Sequence, residues 1–228
     1  MMRLILTDIE GTTTSVSFVF DVLFPYFRER VQLLGDRLND PAIAPILQEV
    51  KEIVQAENGL TLDAQGAIAQ LHQWSVEDRK IAPLKALQGL LWEEGYKQGD
   101  FQGHIYADVP PNLEKWSQQG LQLGVYSSGS EYAQKLLFGY SEYGDLTRYF
   151  SWYFDLKVGQ KRSPTSYQEI AKLTAIAPAE ILFLSDIEAE LDAAQEAGLQ
   201  TIQLVREGTT ASTKHQTVLS FDEISVTG

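Results

Sequence analysis

The chain of 228 residues contains no cysteine. That excludes a disulfide framework, a thiol nucleophile and a thiolate metal site. Histidine is scarce too: His72, His104 and His215 are scattered without metal-ligand spacing and read as structural or exposed. Nowhere do about 18 consecutive apolar residues occur, as a membrane-spanning helix would need. The opening apolar run is short and Asp8 interrupts it, unlike a secretory signal. Positive charge is the minority sign, with 18 Lys and Arg against 31 Asp and Glu, for a net charge of -13. A phosphate backbone would be repelled outside any local basic patch. The expectation is a soluble, cytoplasmic protein with no nucleic-acid and no membrane partner. A small anion is still admissible, because one lysine and a few backbone amides can reverse the local field.

What is present is an ordinary globular composition, 44% hydrophobic, in a length that holds one large domain or a main domain with an insert. Arg3 to Ile9 reads as a buried strand, and further apolar runs end at Ser127, Asp186 and Val205. Helix-length segments separate the later runs. SEYAQKLLFG places Tyr132, Ala133, Leu136 and Leu137 on one face, and PTSYQEIAKL does the same with Tyr167, Ile170 and Ala171. Gly198 suits a helix C-cap. Strands alternating with helices predict an α/β fold, a Rossmann-like parallel sheet with helices on both faces.

The stretch 16–99 breaks the rhythm with helical patterns alone. Pro25 should kink or divide its first helix, whereas Pro83 fits the first turn of its last. The predicted organisation is therefore an α/β core, 1–15 and 100–228, interrupted by an all-helical domain at 16–99. Such an insert would sit over the first strand's C-terminal end. The polar stretch 207–217 reads as a surface loop or tail connection.

In an open parallel sheet, ligands bind outside the carboxyl ends of the strands. Asp8, Ser127 and Asp186 each stand at such an end, and Lys161 lies in a loop that can reach the same edge. Asp8 and Glu10 are two apart, so extended backbone points both to one side, as a nucleophile and a proton-exchanging group require. Gly11 permits a sharp turn, and Thr12 or Thr13 can donate to an oxyanion. Asp8 beside Asp186 is costly without a cation between them, and a hard cation with oxygen ligands means Mg²⁺. Ser127-Ser128-Gly129-Ser130 supplies hydroxyls and backbone amides at a helix start, and Lys161 supplies a full positive charge. That set suits phosphoryl transfer through an acyl phosphate.

Each residue alone also has a plainer reading. Asp8 and Glu10 can be polar residues leaving a strand, Ser127 to Ser130 a turn and an N-cap, Lys161 a solvated charge and Asp186 an N-cap. Glu190 reads first as an exposed helix residue and second as a support for a metal ligand. Trp74, Trp92, Trp116 and Trp152 read as packing, and Glu93-Glu94 as a solvated helix face. The order of the four site segments, all at strand ends, is what turn chemistry does not explain.

Those segments resemble the four motifs of the haloacid dehalogenase superfamily: DIEGTTTS, YSSGS, Lys161 and LSDIEAELDAA. Most phosphatases of that superfamily carry aspartate where Glu10 stands. The glutamate, with DIEGTTTSVSFVFDVLFPY, is similar to one subfamily, the enolase-phosphatases of methionine salvage, or acireductone synthases. The similarity continues through DRK…LKALQG, YADVPPNLEKW, SSGSEYAQKLLFG and KVGQKRSPTSY, nearly to Val205.

The resemblance implies a monomer with one Mg²⁺ per chain. It also implies enolisation of 2,3-diketo-5-methylthiopentyl 1-phosphate, followed by its dephosphorylation. Carried over by position, Asp8 is nucleophile and metal ligand. Glu10 binds metal through its backbone carbonyl and moves protons with its side chain, and Asp186 is the remaining protein ligand. Ser127, Ser128 and Lys161 hold the phosphate, and the helical insert is a cap. Pro83 stands where the family pattern has a small hydroxyl residue, and nothing after Arg206 matches. The competing expectations are a single-step phosphatase of another small phosphate ester, a dehalogenase, and a ligand-binding relative without turnover.

Overall fold

The computed structural model describes residues 1–226. Two compact units divide the chain: Met1–Phe18 with Gln102–Gly228, and Val19–Phe101.

The first unit is built on a six-stranded sheet, every pairing parallel, in the order β3-β2-β1-β4-β5-β6. Its strands are β1 (Leu4–Thr7), β2 (Gln122–Tyr126), β3 (Trp152–Phe154), β4 (Ile181–Ser185), β5 (Gln200–Leu204) and β6 (Gln216–Val218). The central strands β1 and β4 are buried at every position, as expected where helices cover both faces of a parallel sheet. Parallel strands put all their carboxyl ends at one edge. The chain fills one side of β1 with β2 and β3, then crosses to its other side with β4, so the strand order reverses at β1. Ligands of open parallel sheets bind at such a reversal, and here Asp8 follows it directly.

Helices α5 (Val109–Gln118), α6 (Glu131–Gly139), α7 (Pro164–Thr174) and α8 (Glu188–Glu196) belong to this unit. From α7, Tyr167, Ile170 and Ala171 are buried as their spacing predicts. They join Leu4, Leu6, Tyr126, Phe183 and Leu191 in one cluster. Each large side chain buried there contributes about 1.5–3 kcal/mol. On α6 the expected face is shifted. Tyr132 is exposed, and Gln134, Leu136, Leu137 and Phe138 point inward. Ser130 caps α6 by accepting from the Ala133 amide at 3.3 Å. After α8, Gly198 adopts φ +92°, the left-handed conformation that ends a helix at little steric cost. The stretch 207–217 is not wholly loop, because β6 begins at Gln216 and pairs with β5.

The second unit is helical, with α1 (Phe24–Gln32), α2 (Ala44–Asn58), α3 (Ala64–Val76) and α4 (Ala82–Gln98). Phe27, Val31, Leu47, Val50, Leu71, Trp74, Leu87 and Leu91 are all buried. Pro25 enters at the first turn of α1, directly after a π-helical stretch, Phe18–Leu23. A widened turn is one way for a helix to accommodate a residue that cannot donate its hydrogen bond. Pro83 sits in the first turn of α4, where that donor is not needed. Asp63 caps α3 by accepting from the Gly66 amide at 2.7 Å. No helix among the described residues is long and apolar enough to cross a membrane.

Candidate active site

Asp8 continues β1 by one residue. Its amide donates to the Leu184 carbonyl at 2.8 Å, which locks it against the end of β4. Asp8 as a whole is 3% exposed. Oδ1 accepts from the Ile9 amide at 2.7 Å and meets Nζ of Lys161 at 2.6 Å. Lys161 lies in the turn before α7 and is itself buried. The Tyr167 hydroxyl donates to its carbonyl at 2.7 Å, so the main helix of the core fixes the lysine's backbone. Ser127 and Ser128 follow β2 at the same sheet edge. The Ser127 hydroxyl accepts from the Gly129 amide at 3.1 Å, and its own amide donates to the Phe154 carbonyl at 3.2 Å.

The chain turns sharply after Asp8. Gly11 has φ +71°, and a Cβ there would collide with the carboxylate of Asp186. Asp186 therefore packs directly on the turn that follows Asp8. It is not a helix cap: Ile187 holds that position in α8 and no side chain caps it. Gln203 on β5 donates to the Asp186 carbonyl at 2.8 Å. Glu10 is half-buried and its backbone bridges to Thr14. Ile9 sits at a bend after β1 ends at Thr7, so regular extended backbone does not set the relation between the two acids.

One member of the cluster escaped the sequence reading. Glu190 is not an exposed helix residue. It is 8% exposed, its Oε2 lies 2.6 Å from Nζ of Lys161, and it accepts from the Ser185 hydroxyl at 3.1 Å. Ser185 also reaches Asp8 Oδ2 at 3.4 Å. A signal was available: Glu190 stands three and four residues before Ala193 and Ala194, both buried, and so belongs to the inner stripe of α8.

Two carboxylates thus share one buried ammonium, with a third beside them. Burial lowers the affinity of Lys161 for its proton, but the charges of Asp8 and Glu190 outweigh that and hold it firmly protonated. Burial, then the charge of Asp8, pushes the Asp186 carboxyl up to about 7. The same two causes push Glu190 up to about 7, against the pull of Lys161.

A haloacid dehalogenase-like hydrolase model matches residues 2–198. The chain is 64% identical to "Enolase-phosphatase E1" of a Picosynechococcus species over 225 residues, 99% of each chain. It is 52% identical to the protein of that name from Yersinia enterocolitica, covering 100% of this chain and 99% of that one. The UTR4 protein of Saccharomyces cerevisiae superposes with a TM-score of 0.84 at 32% identity, over 98% of this chain and 100% of that one. The chain belongs to the enolase-phosphatase E1 family of haloacid dehalogenase-like hydrolases.

An L-2-haloacid dehalogenase of Xanthobacter autotrophicus shares only the fold of this enolase-phosphatase family member, at a TM-score of 0.52 and 16% identity. In the family member described here, the donor set suits a hard divalent cation. Among the described residues Oδ1 of Asp186 is buried without a hydrogen-bond partner, and the charges of Asp8 and Glu190, which already share the Lys161 ammonium, act on it. Among the described residues no three His, Cys, Asp or Glu side chains form a ready-made metal cluster. Two carboxylates with a backbone carbonyl are a sparser protein set, which Mg²⁺ completes with water.

The remaining candidates are structural. His215 is buried, with Nε2 3.0 Å from Asp192 Oδ1 and Nδ1 3.0 Å from Thr201 Oγ1. Trp92 donates to the Leu23 carbonyl at 2.8 Å, and Trp116 packs on Phe221. Glu94 is paired with Arg37 at 2.7 Å.

Proposed function

We propose that the chain is a bifunctional enolase-phosphatase of methionine salvage. It enolises 2,3-diketo-5-methylthiopentyl 1-phosphate and then hydrolyses the phosphate to give the acireductone. The observation that carries the reading is the Asp8–Lys161 contact at the strand-order reversal, in a chain 64% identical to a protein of that name.

Asp8 is assigned the nucleophile. Its Oδ1 is held by Lys161 and the Ile9 amide, which leaves Oδ2, reached by Ser185 at 3.4 Å, as the oxygen to attack phosphorus. Attack forms an aspartyl phosphate and releases the enol oxygen, which takes a proton. Water then cleaves the acyl phosphate and restores the carboxylate. Lys161 offsets negative charge on the transferred phosphoryl group, with Ser127 and Ser128 donating to its oxygens. Glu10 is assigned proton transfer in the enolisation.

Asp8, Asp186 and the Glu10 carbonyl would hold Mg²⁺, one per chain, which supplies charge neutralisation at the phosphoryl oxygens. The helical unit Val19–Phe101 is assigned the family's cap role, and a monomeric, cytoplasmic enzyme completes the proposal.

Purified protein given the diketo phosphate and Mg²⁺ is expected to release phosphate, with EDTA abolishing release and an enol absorbance rising first. Release without any enol signal would point instead to a single-step phosphatase. No release at all would refute the assignment.

A further inference from the structure

Within the turn after Asp8, the Gly11 amide donates to the Thr14 carbonyl at 2.8 Å and the Thr13 hydroxyl to the Asp8 carbonyl at 3.2 Å, but one acceptor is overcrowded. The amides of Thr12, Thr13 and Thr14 all converge on the Ile9 carbonyl, at 3.1, 2.9 and 3.0 Å. A carbonyl has two lone pairs, so three donors on one oxygen share it imperfectly. The turn is also held from outside. The Tyr106 amide donates to the Thr13 carbonyl at 3.0 Å, and Nδ1 of His104 lies 3.1 Å from both the Thr14 hydroxyl and the Ser15 amide. The Thr12 hydroxyl is buried without a hydrogen-bond partner among the described residues, which leaves the Thr12 carbonyl as the residue's contact with the outside.

That carbonyl accepts from Arg206, at 3.3 Å from Nε and 3.2 Å from Nη2. The guanidinium is largely buried, and each of its three nitrogens donates a hydrogen bond. Nη2 also donates to Asp108 Oδ2 at 2.8 Å, and Nη1 donates to the Leu219 carbonyl at 3.1 Å. Its carbon lies 4.2 Å from the Tyr106 ring centre. Asp108 is held in turn by the Phe221 amide at 2.6 Å.

We propose that Arg206 is a positioning residue for the catalytic turn, its guanidinium fork fixing the Thr12 carbonyl and so the backbone from Asp8 to Thr14. The inference rests on the proposed function only in taking that turn as catalytic. It also gives the segment after β5 a part in the site, since Arg206 ties the turn to Leu219 and, through Asp108, to Phe221. A lysine would keep the charge but lose the planar fork that serves a carbonyl and a carboxylate together.

The test uses full-length Arg206→Lys, with Asp108→Asn as a second variant that loosens the fork from its other side. Amide exchange by mass spectrometry is read for peptides spanning Gly11 to Ser15 and for β4. Turnover is read as kcat and KM separately, with inorganic phosphate inhibition as the measure of anion binding. The expected result is roughly tenfold faster exchange in the turn, with β4 unchanged. It is accompanied by a kcat lower by about 10- to 100-fold, with KM and phosphate inhibition within about threefold. Added guanidinium, but not sodium chloride of equal ionic strength, should restore part of the turnover of Arg206→Ala.

Unchanged exchange in the turn of both variants would overturn the proposal. So would acceleration spread evenly through the sheet, the mark of general destabilisation. If the wild-type protein does not act on the diketo phosphate, the function assigned above fails while the exchange result still decides the role of Arg206.

Discussion

Nζ of Lys161 lies 2.6 Å from Oδ1 of Asp8, inside the protein and at the end of its central strand. An ammonium and a carboxylate buried together are stable only as a pair, because removing one leaves the other charged and desolvated. Here Glu190 contacts the same ammonium, so the lysine balances two acids at once.

Lys161→Met should therefore be doubly harmful. Turnover is expected to fall by about 10²–10³-fold, the range for losing a group that stabilises developing charge. Unfolding free energy should drop by about 3–5 kcal/mol, as Asp8 and Glu190 lose their counter-charge. Steady-state kinetics and urea denaturation check the two effects, and a variant with full turnover would be incompatible with the site.

Gly11→Ala tests the turn. An alanine at φ +71° is strained by about 1–2 kcal/mol, and its methyl would displace the Asp186 carboxylate. The expected variant is folded by circular dichroism, only modestly less stable, and deeply impaired in turnover. Normal turnover would mean that Asp186 need not stand where it does.

Phe183→Ala probes packing apart from chemistry. Phe183 is fully buried on β4 among Tyr126 and Tyr167. Truncation should cost about 3–5 kcal/mol in denaturant titration. Turnover of the remaining folded enzyme in dilute buffer should stay close to wild type.

Asp108 supplies a pH dependence. Burial raises its carboxyl, but the Arg206 hydrogen bond and the Phe221 amide outweigh that and bring it below its ordinary value. A depressed carboxyl contributes stability above its unfolded pKa and loses it as pH falls through the folded one. Asp108→Asn should be less stable than wild type near neutrality, and the gap should narrow on acidification below the ordinary carboxylate range. Thermal melts across pH check this, and a gap independent of pH would contradict it.

The central sheet was legible because β1, β2, β4 and β5 are apolar runs with helices between, and buried strands leave that trace. The edge strand β6 was not, since QTV is two-thirds polar and exposed, which reads as loop. Helix α5 begins with Val109-Pro110-Pro111, a proline pair that suggests a turn. Prolines are tolerated in a helix's first turn, where their missing donors are not used. At the site, Asp8, Lys161 and Asp186 stood out because each follows a strand or precedes a helix. Glu190 did not, since a charged residue one turn into a helix is ordinarily solvated. Arg206 stayed silent because its partners, Thr12, Asp108 and Leu219, come together only in the folded chain.

The most direct measurement is trapping of the covalent intermediate. Protein is mixed with Mg²⁺ and the diketo phosphate, quenched in acid during turnover, digested and read by mass spectrometry. The expected product is a phosphorylated peptide with the modification on Asp8, and neither that peptide nor released phosphate from Asp8→Asn. Phosphate release by Asp8→Asn at the wild-type rate would contradict it.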